Sequence, residues 1–160
     1  MKFIIKEKFW SLADDFYIYN EDQKAVYFVD GNAFSWGDKL SFQDLNGNEL
    51  AFIHQKMLSW RPCYEITKDG QTVAKVIKEF SWFNKSFTLD VPGSNDYTIE
   101  GSFWQHHYRF TRNKHVVATV SKDFWALKDS YGVAIADGED VVAILCAIIV
   151  IDQVLHDDEH

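Results

Sequence analysis

Apolar and polar residues alternate with a period of two along most of the chain. Leu40 and Phe42, Tyr64 and Ile66, Phe87 and Leu89, and Tyr108 and Phe110 each hold every second position of their segments. Successive side chains of a strand point to opposite faces, so this alternation predicts half-buried β-strands of about five to eight residues. Turn-forming clusters punctuate them at Asn46-Gly47-Asn48, Lys68-Asp69-Gly70, Pro92-Gly93-Ser94-Asn95 and Arg112-Asn113-Lys114. The pattern also repeats. Six tryptophans, Trp10, Trp36, Trp60, Trp82, Trp104 and Trp125, follow one another at 26, 24, 22, 22 and 21 residues. The octads LAFIHQKM (50–57), VAKVIKEF (73–80) and VATVSKDF (117–124) share one order of residue types. A unit of about 22 residues holds two strands and two turns, so six units predict an antiparallel hairpin repeat of about twelve strands.

The alternation ends in a run of eleven apolar residues, Val141–Ile151, behind the acidic start signal Asp137-Gly138-Glu139-Asp140. This spacing predicts a helix over roughly 139–155. Apolar on every side, such a helix must be buried, and the run is well short of the roughly 18 residues that span a bilayer. Asp152 and Gln153 interrupt it, and no lysine or arginine follows Lys128. Burial within the protein also completes the sheet. A closed ring of twelve strands has no free edge, but its lumen is too wide for its own side chains to fill. A helix of ~16 residues is about 24 Å long and a strand of ~7 residues about 23 Å, so the helix matches the barrel. The expected fold is mainly β: one domain, residues 1–160, forming a closed antiparallel barrel of about twelve strands around a buried hydrophobic C-terminal helix.

The ending DGEDVVAILCAIIVIDQVL resembles the C-terminal helix of the LURP-one-related proteins, including their bacterial branch. The opening stretch from Phe3 to Lys56 is similar to that family's start, with its early aromatic-charged strand and a D-x-x-G-x-x-L turn running into A-x-I at Asp44–Ile53. The resemblance covers essentially the whole chain. It implies a fold like the tubby C-terminal domain, a twelve-stranded barrel enclosing a central helix, which phospholipid scramblases are thought to share. The function it implies is thin: phosphoinositide head-group binding in tubby domains, action on lipids in scramblases, and defence responses among plant members. The lysine-arginine motif of the tubby lipid site has no counterpart here.

Composition narrows the function. With 160 residues, 47% apolar and 16% aromatic, the chain can build one real core. Cys63 and Cys146 are the only cysteines, and the start returns to charge at Lys2 and Lys6. A reduced, cytoplasmic protein without a secretory signal is the expectation. The net charge of −8 is concentrated at the end, where residues 131–160 hold seven acidic and no basic side chains. That argues against nucleic acid as a partner and against a general basic membrane footprint, though not against a local patch, and the short apolar run argues against stable membrane insertion.

Candidate chemistry is sparse. No nucleophile elbow, Walker loop or dinucleotide fingerprint occurs, so no catalytic residue and no cofactor is expected. His106 and His107 are adjacent on an expected strand and point to opposite faces, poor geometry for joint metal ligation. His54, His115 and the tail residues His156 and His160 read as ordinary polar positions, and no metal site is expected. The basic residues Lys75, Lys78, Lys85, Arg109, Arg112, Lys114 and Lys122 are the candidates for meeting an anion or lipid head group if neighbouring hairpins bring them together. Trp82, Phe83 and Trp104 flank them and could dip into a membrane interface, although aromatics of this kind are more often core residues. The resulting expectation is a non-enzymatic binding or interaction module, monomeric or weakly dimeric, whose partner is a protein or an anionic lipid. The alternative is a carrier of a small apolar ligand inside the barrel.

Overall fold

The computed structural model describes residues 1–6, 15–31, 39–56, 58–80, 85–93, 95–124 and 129–158, with side chains to residue 155. Twelve strands appear, as the repeat predicts: β1 Lys2–Lys6, β2 Phe16–Asn20, β3 Ala25–Asp30, β4 Lys39–Asp44, β5 Glu49–Gln55, β6 Cys63–Lys68, β7 Gln71–Glu79, β8 Ser86–Asp90, β9 Tyr97–Ser102, β10 His107–Arg112, β11 His115–Ser121 and β12 Ser130–Ile135. Each pairs antiparallel with its sequence neighbours, and β1 closes the ring on β12 from Lys2↔Ala134 to Lys6↔Ser130. The Met1 ammonium donates to the Ile135 carbonyl at 2.8 Å and extends that seam.

The octads show in the structure as a repeated irregularity. Four hairpins carry one extra residue on the returning strand, where the register shifts opposite Ile18/Tyr19, Phe42/Gln43, Ile66/Thr67 and Phe110/Thr111. Such a bulge bends the strand and increases its twist, which helps a sheet curl into a barrel. In three of them an alanine follows, Ala51, Ala74 or Ala118, and all three are buried. Their small side chains leave room for what fills the lumen.

That filling is α1, Val141–Asp158. It starts two residues later and runs three residues further than the acidic flank suggests. Asp140 is the cap rather than part of the helix, its Oδ1 accepting the Ala143 N–H at 3.1 Å and its carbonyl the Ile144 N–H at 3.1 Å. Every residue from Ile144 to Ile151 is buried, and together they form one core with the inward residues of all twelve strands. Fully burying an aliphatic side chain stabilises by about 1.5–3 kcal/mol, so this helix is the centre of the fold's stability. No helix among the described residues is long and apolar enough to cross a membrane.

The up-and-down order gives the barrel two unlike ends. At one, hairpins close in tight turns. Asp69 and Gly70 (φ 51° and 79°), and Asn113 and Lys114 (51° and 66°), form the two-residue turns with positive φ at both positions that match strand twist. Among the described residues, the other end holds the connections that carry Leu58 to Pro62, Phe80 and Lys85, Phe103 to His106, and Lys122 to Phe124. In the sequence, the linking segments 7–15, 31–38, 56–62, 80–85, 103–106 and 122–129 each contain one of the six tryptophans. Trp60 and Trp104 are among the described residues; Trp10, Trp36, Trp82 and Trp125 lie outside them, as does Phe83.

Candidate functional site

The seven basic candidates divide into three groups. Lys78, Lys85 and Lys122 stand at the tryptophan-bearing end: Lys78 near the end of β7, Lys85 just before β8 and Lys122 in the short 3-10 turn Lys122–Phe124. The Lys85 Nζ sits over the Trp104 ring, 5.4 Å from its centroid. Lys75 and Arg109 lie on the barrel wall. Lys75 is directly across from Glu65 on one side and Asp90 on the other, and Arg109 is across from Glu100 and Thr119. These facing carboxylates offset the lysine and arginine charge that a docking anion would need.

Arg112 and Lys114 belong to the tight-turn end, and Arg112 has a structural use there. Its guanidinium binds Glu139 (Nη2 to Oε1, 2.7 Å) and the Tyr97 hydroxyl (3.2 Å), and it lies 5.1 Å from the Tyr97 ring centroid. Tyr97 in turn donates to Glu139 Oε2 at 2.9 Å. This triad ties the entry of the helix to β9 and β10. Burial, then the neighbouring Glu139 carboxylate, pushes the Tyr97 phenol up to about 12. Hydrogen-bonded charge in this geometry orders a turn.

A second polar cluster sits inside the barrel where the helix leaves it. Asp152, 5% exposed, accepts a hydrogen bond from the Tyr131 hydroxyl and lies 3.3 Å from His106 Nε2. The His106 ring stacks on Tyr131 with centroids 4.3 Å apart. Burial and then the Asp152 charge hold the Tyr108 phenol well above its ordinary range, so it stays neutral. His106 and His107 do part company, although not as two strand residues. His106 is in the connecting turn with φ 52°, facing inward, while His107 opens β10, with Nδ1 3.3 Å from Ser121 Oγ. Among the described residues no three histidine, cysteine or carboxylate side chains group in a way that could hold a metal ion. Burial raises both thiols, Cys146 deep in the helix and Cys63 at the start of β6, and a raised thiol is a poor nucleophile.

Sequence reasoning left Trp104 between a membrane interface and the core and missed the exposure of Leu58, Trp60 and Phe80 at the same end. Leu58 is 98% exposed, Trp60 79%, Phe80 66% and Trp104 48%. Trp60 and Phe80, from neighbouring connections, stack with centroids 5.5 Å apart and planes 24° apart. Arg61 lies over Trp60 at 5.2 Å and binds Glu79 at 2.6 Å. The available signal was the end of each octad. A polar pair, Gln55-Lys56, Lys78-Glu79 or Lys122-Asp123, stands just before the last apolar residue of each. Alternation stops there, so the aromatics beyond it are in connections and not on a core face. A groove at the tight-turn end, lined by Met1, Lys2, Phe3, Asn20, Val26 and Tyr27, opens outward.

Comparison with known proteins places these features in a family context. A family model described as LURP-one-related matches residues 1–152. The uncharacterised protein YxjI of Bacillus subtilis is 36% identical over 159 residues, covering 99% of this chain and 96% of that one. A protein of Arabidopsis thaliana with an X-ray structure superposes with a TM-score of 0.68 at 12% identity, over 99% of this chain and 91% of that one. At that identity the likeness is one of fold.

Proposed function

Because this chain belongs to the LURP-one-related family, with its lumen taken up by its own helix, we propose that it is a non-enzymatic binding or interaction module of the cytosol that works from its outer surface. The observation that carries this reading is the burial of Ile144–Ile151 against all sides of the barrel. A carrier of small apolar ligands needs an apolar cavity of a few hundred Å³ or more. Here the space a ligand would occupy holds isoleucine, leucine and valine side chains. The neutral buried phenols and raised thiols supply no activated nucleophile, which favours binding over catalysis.

The partner class proposed is a protein or an anionic lipid head group. Lys78, Lys85 and Lys122, gathered at one end, serve a head group better than Lys75, Arg109, Arg112 and Lys114, whose neighbours are carboxylates or tight turns. Native mass spectrometry of protein freshly purified from cells tests the reading. The expected result is the bare chain mass. A stoichiometric co-purifying lipid would overturn the module in favour of the carrier.

A further inference from the structure

Leu58, Trp60, Phe80 and Trp104 are costly to leave in water, and none of them takes part in the core. They stand on three separate connections, 56–62, 80–85 (with Phe80 as its first residue) and 103–106, all at one end of a closed ring. Cations accompany them. Arg61 lies over Trp60 and Lys85 over Trp104, with Lys56 and Lys122 exposed at the same end. The described acids there are Glu79, which holds Arg61 and the Thr88 hydroxyl, the buried Asp152, Asp15, which accepts the Gly31 N–H, Asp123, 3.9 Å from His107 Nε2, and Asp30 and Asp129 at strand ends.

We propose that this end is a membrane-docking face, in which Leu58, Trp60, Phe80 and Trp104 enter the head-group region of a bilayer while basic side chains at the same end, Lys85 among them, meet lipid phosphates. The proposal rests on the reading of the chain as a surface-acting module and names the surface and the partner. Three features favour a bilayer over other occupants. Tryptophan, phenylalanine and leucine interleaved with lysine and arginine is the residue set of the membrane interface, where an amphipathic ring sits among head groups and a long basic side chain reaches phosphate. The side chains come from three neighbouring connections at one end of the ring, and Trp60 and Phe80 stack on each other, so a surface laid against that end can meet them. A two-fold contact with a second copy would instead bring two faces that both carry Lys56, Lys85 and Lys122 together, an arrangement that like-charge repulsion disfavours.

Docking is therefore shallow and reversible, with apolar insertion as the larger contribution and charge as the smaller. The tight-turn end, with Glu21, Asp22, Asp69, Asp96 and Asp137, would face away from the membrane.

The test floats the full chain with vesicles of phosphatidylcholine containing about 30% phosphatidylserine, at about 0.15 M salt. The wild-type protein is expected to co-float, and the Trp60→Ala, Phe80→Ala double variant to partition roughly tenfold more weakly with an unchanged melting temperature. Lys75→Gln, on the wall, is expected to bind as wild type does. Tryptophan fluorescence should be quenched by lipids brominated near the glycerol. Absence of co-flotation, or equal binding by the double variant, would overturn the proposal. So would loss of binding confined to Lys75→Gln, and so would a concentration-dependent dimer, without vesicles, that the double variant abolishes. In the last case the face belongs to a second copy. Any of these results leaves the module reading standing, because that reading depends on the filled lumen and is decided by the native mass.

Discussion

Replacing Ile148 with aspartate puts a charge at the middle of the filled lumen. Ile148 is fully buried on α1, with buried neighbours on every side. The substitution loses about 1.5–3 kcal/mol of aliphatic burial. Its carboxylate has no cation within the core, and leaving a charge buried and unpaired costs about 3–5 kcal/mol. Asp152 is one helical turn further on, so a like charge at i+4 adds to the cost. The total, about 5–8 kcal/mol, is comparable with the whole net stability of an ordinary domain, about 5–15 kcal/mol. Ile148→Asp is therefore expected to be largely unfolded near pH 7, whereas Ile148→Val should lose only about 0.5–1.5 kcal/mol. The sign of the pH dependence follows from burial. The introduced carboxyl has a folded-state pKa raised above the ordinary value of about 3.9, so the folded state binds the extra proton. The defect is smallest below about pH 4 and grows as pH rises through the raised value. Urea unfolding followed by circular dichroism at two pH values, with size exclusion to exclude aggregation, measures it. A monomeric Ile148→Asp protein with the wild-type unfolding midpoint at neutral pH would refute the buried-helix account.

Other substitutions probe the wall and its ends. A Cβ at Gly101, where φ is +144°, would lie 2.5 Å from the His107 carbonyl oxygen and the Tyr108 Cα. Gly101→Ala should cost more than about 2 kcal/mol in urea unfolding. Lys114 holds a positive φ at a two-residue turn, so Lys114→Gly should stabilise by up to about 1 kcal/mol, seen as a higher melting temperature, without changing vesicle binding. The Tyr97 phenol, raised to about 12, binds its proton more tightly folded than unfolded, so stability should fall as pH rises from about 10 toward 12. Tyr97→Phe should lessen that alkaline loss in a melting series.

Much of the architecture could be read from local patterning, because burial is written into the sequence wherever one face of a strand or helix meets the core. Ile53, Ile66, Val76 and Leu89 alternate because each points inward, and Val141–Ile151 is continuous because the helix has no outward side. The candidate site was less legible because it depends on contacts across strands. Nothing near Arg112 in sequence announces that Glu139 will take its guanidinium, since the two are 27 residues apart. Lys75 looks available until the register sets it between Glu65 and Asp90. The tryptophans had a legible period and an illegible place: large aromatics suggest a core, and only the strand ends show that Trp60 and Trp104 stand beyond it. Asp152 reads as an interruption of the apolar run, although Tyr131 and His106 receive it inside the barrel.

The order of elements along the chain bears on how the molecule is made. The helix that fills the barrel follows all twelve strands, and the first strand closes the ring on the last, with Met1 meeting Ile135 across 134 residues. On the ribosome, the wall is therefore synthesised before its filling. Until Val141 and the residues after it emerge, the inward faces of Phe42, Ile66, Val76 and Ile99 have nothing central to pack on, and closure is premature. Non-local pairing of this kind is slow, and the open sheet presents apolar surface and unpaired edges in the meantime. The nascent chain should accordingly depend on a chaperone until the helix emerges, and a ribosome-stalled chain ending before Val141 should remain protease-sensitive however long it is held.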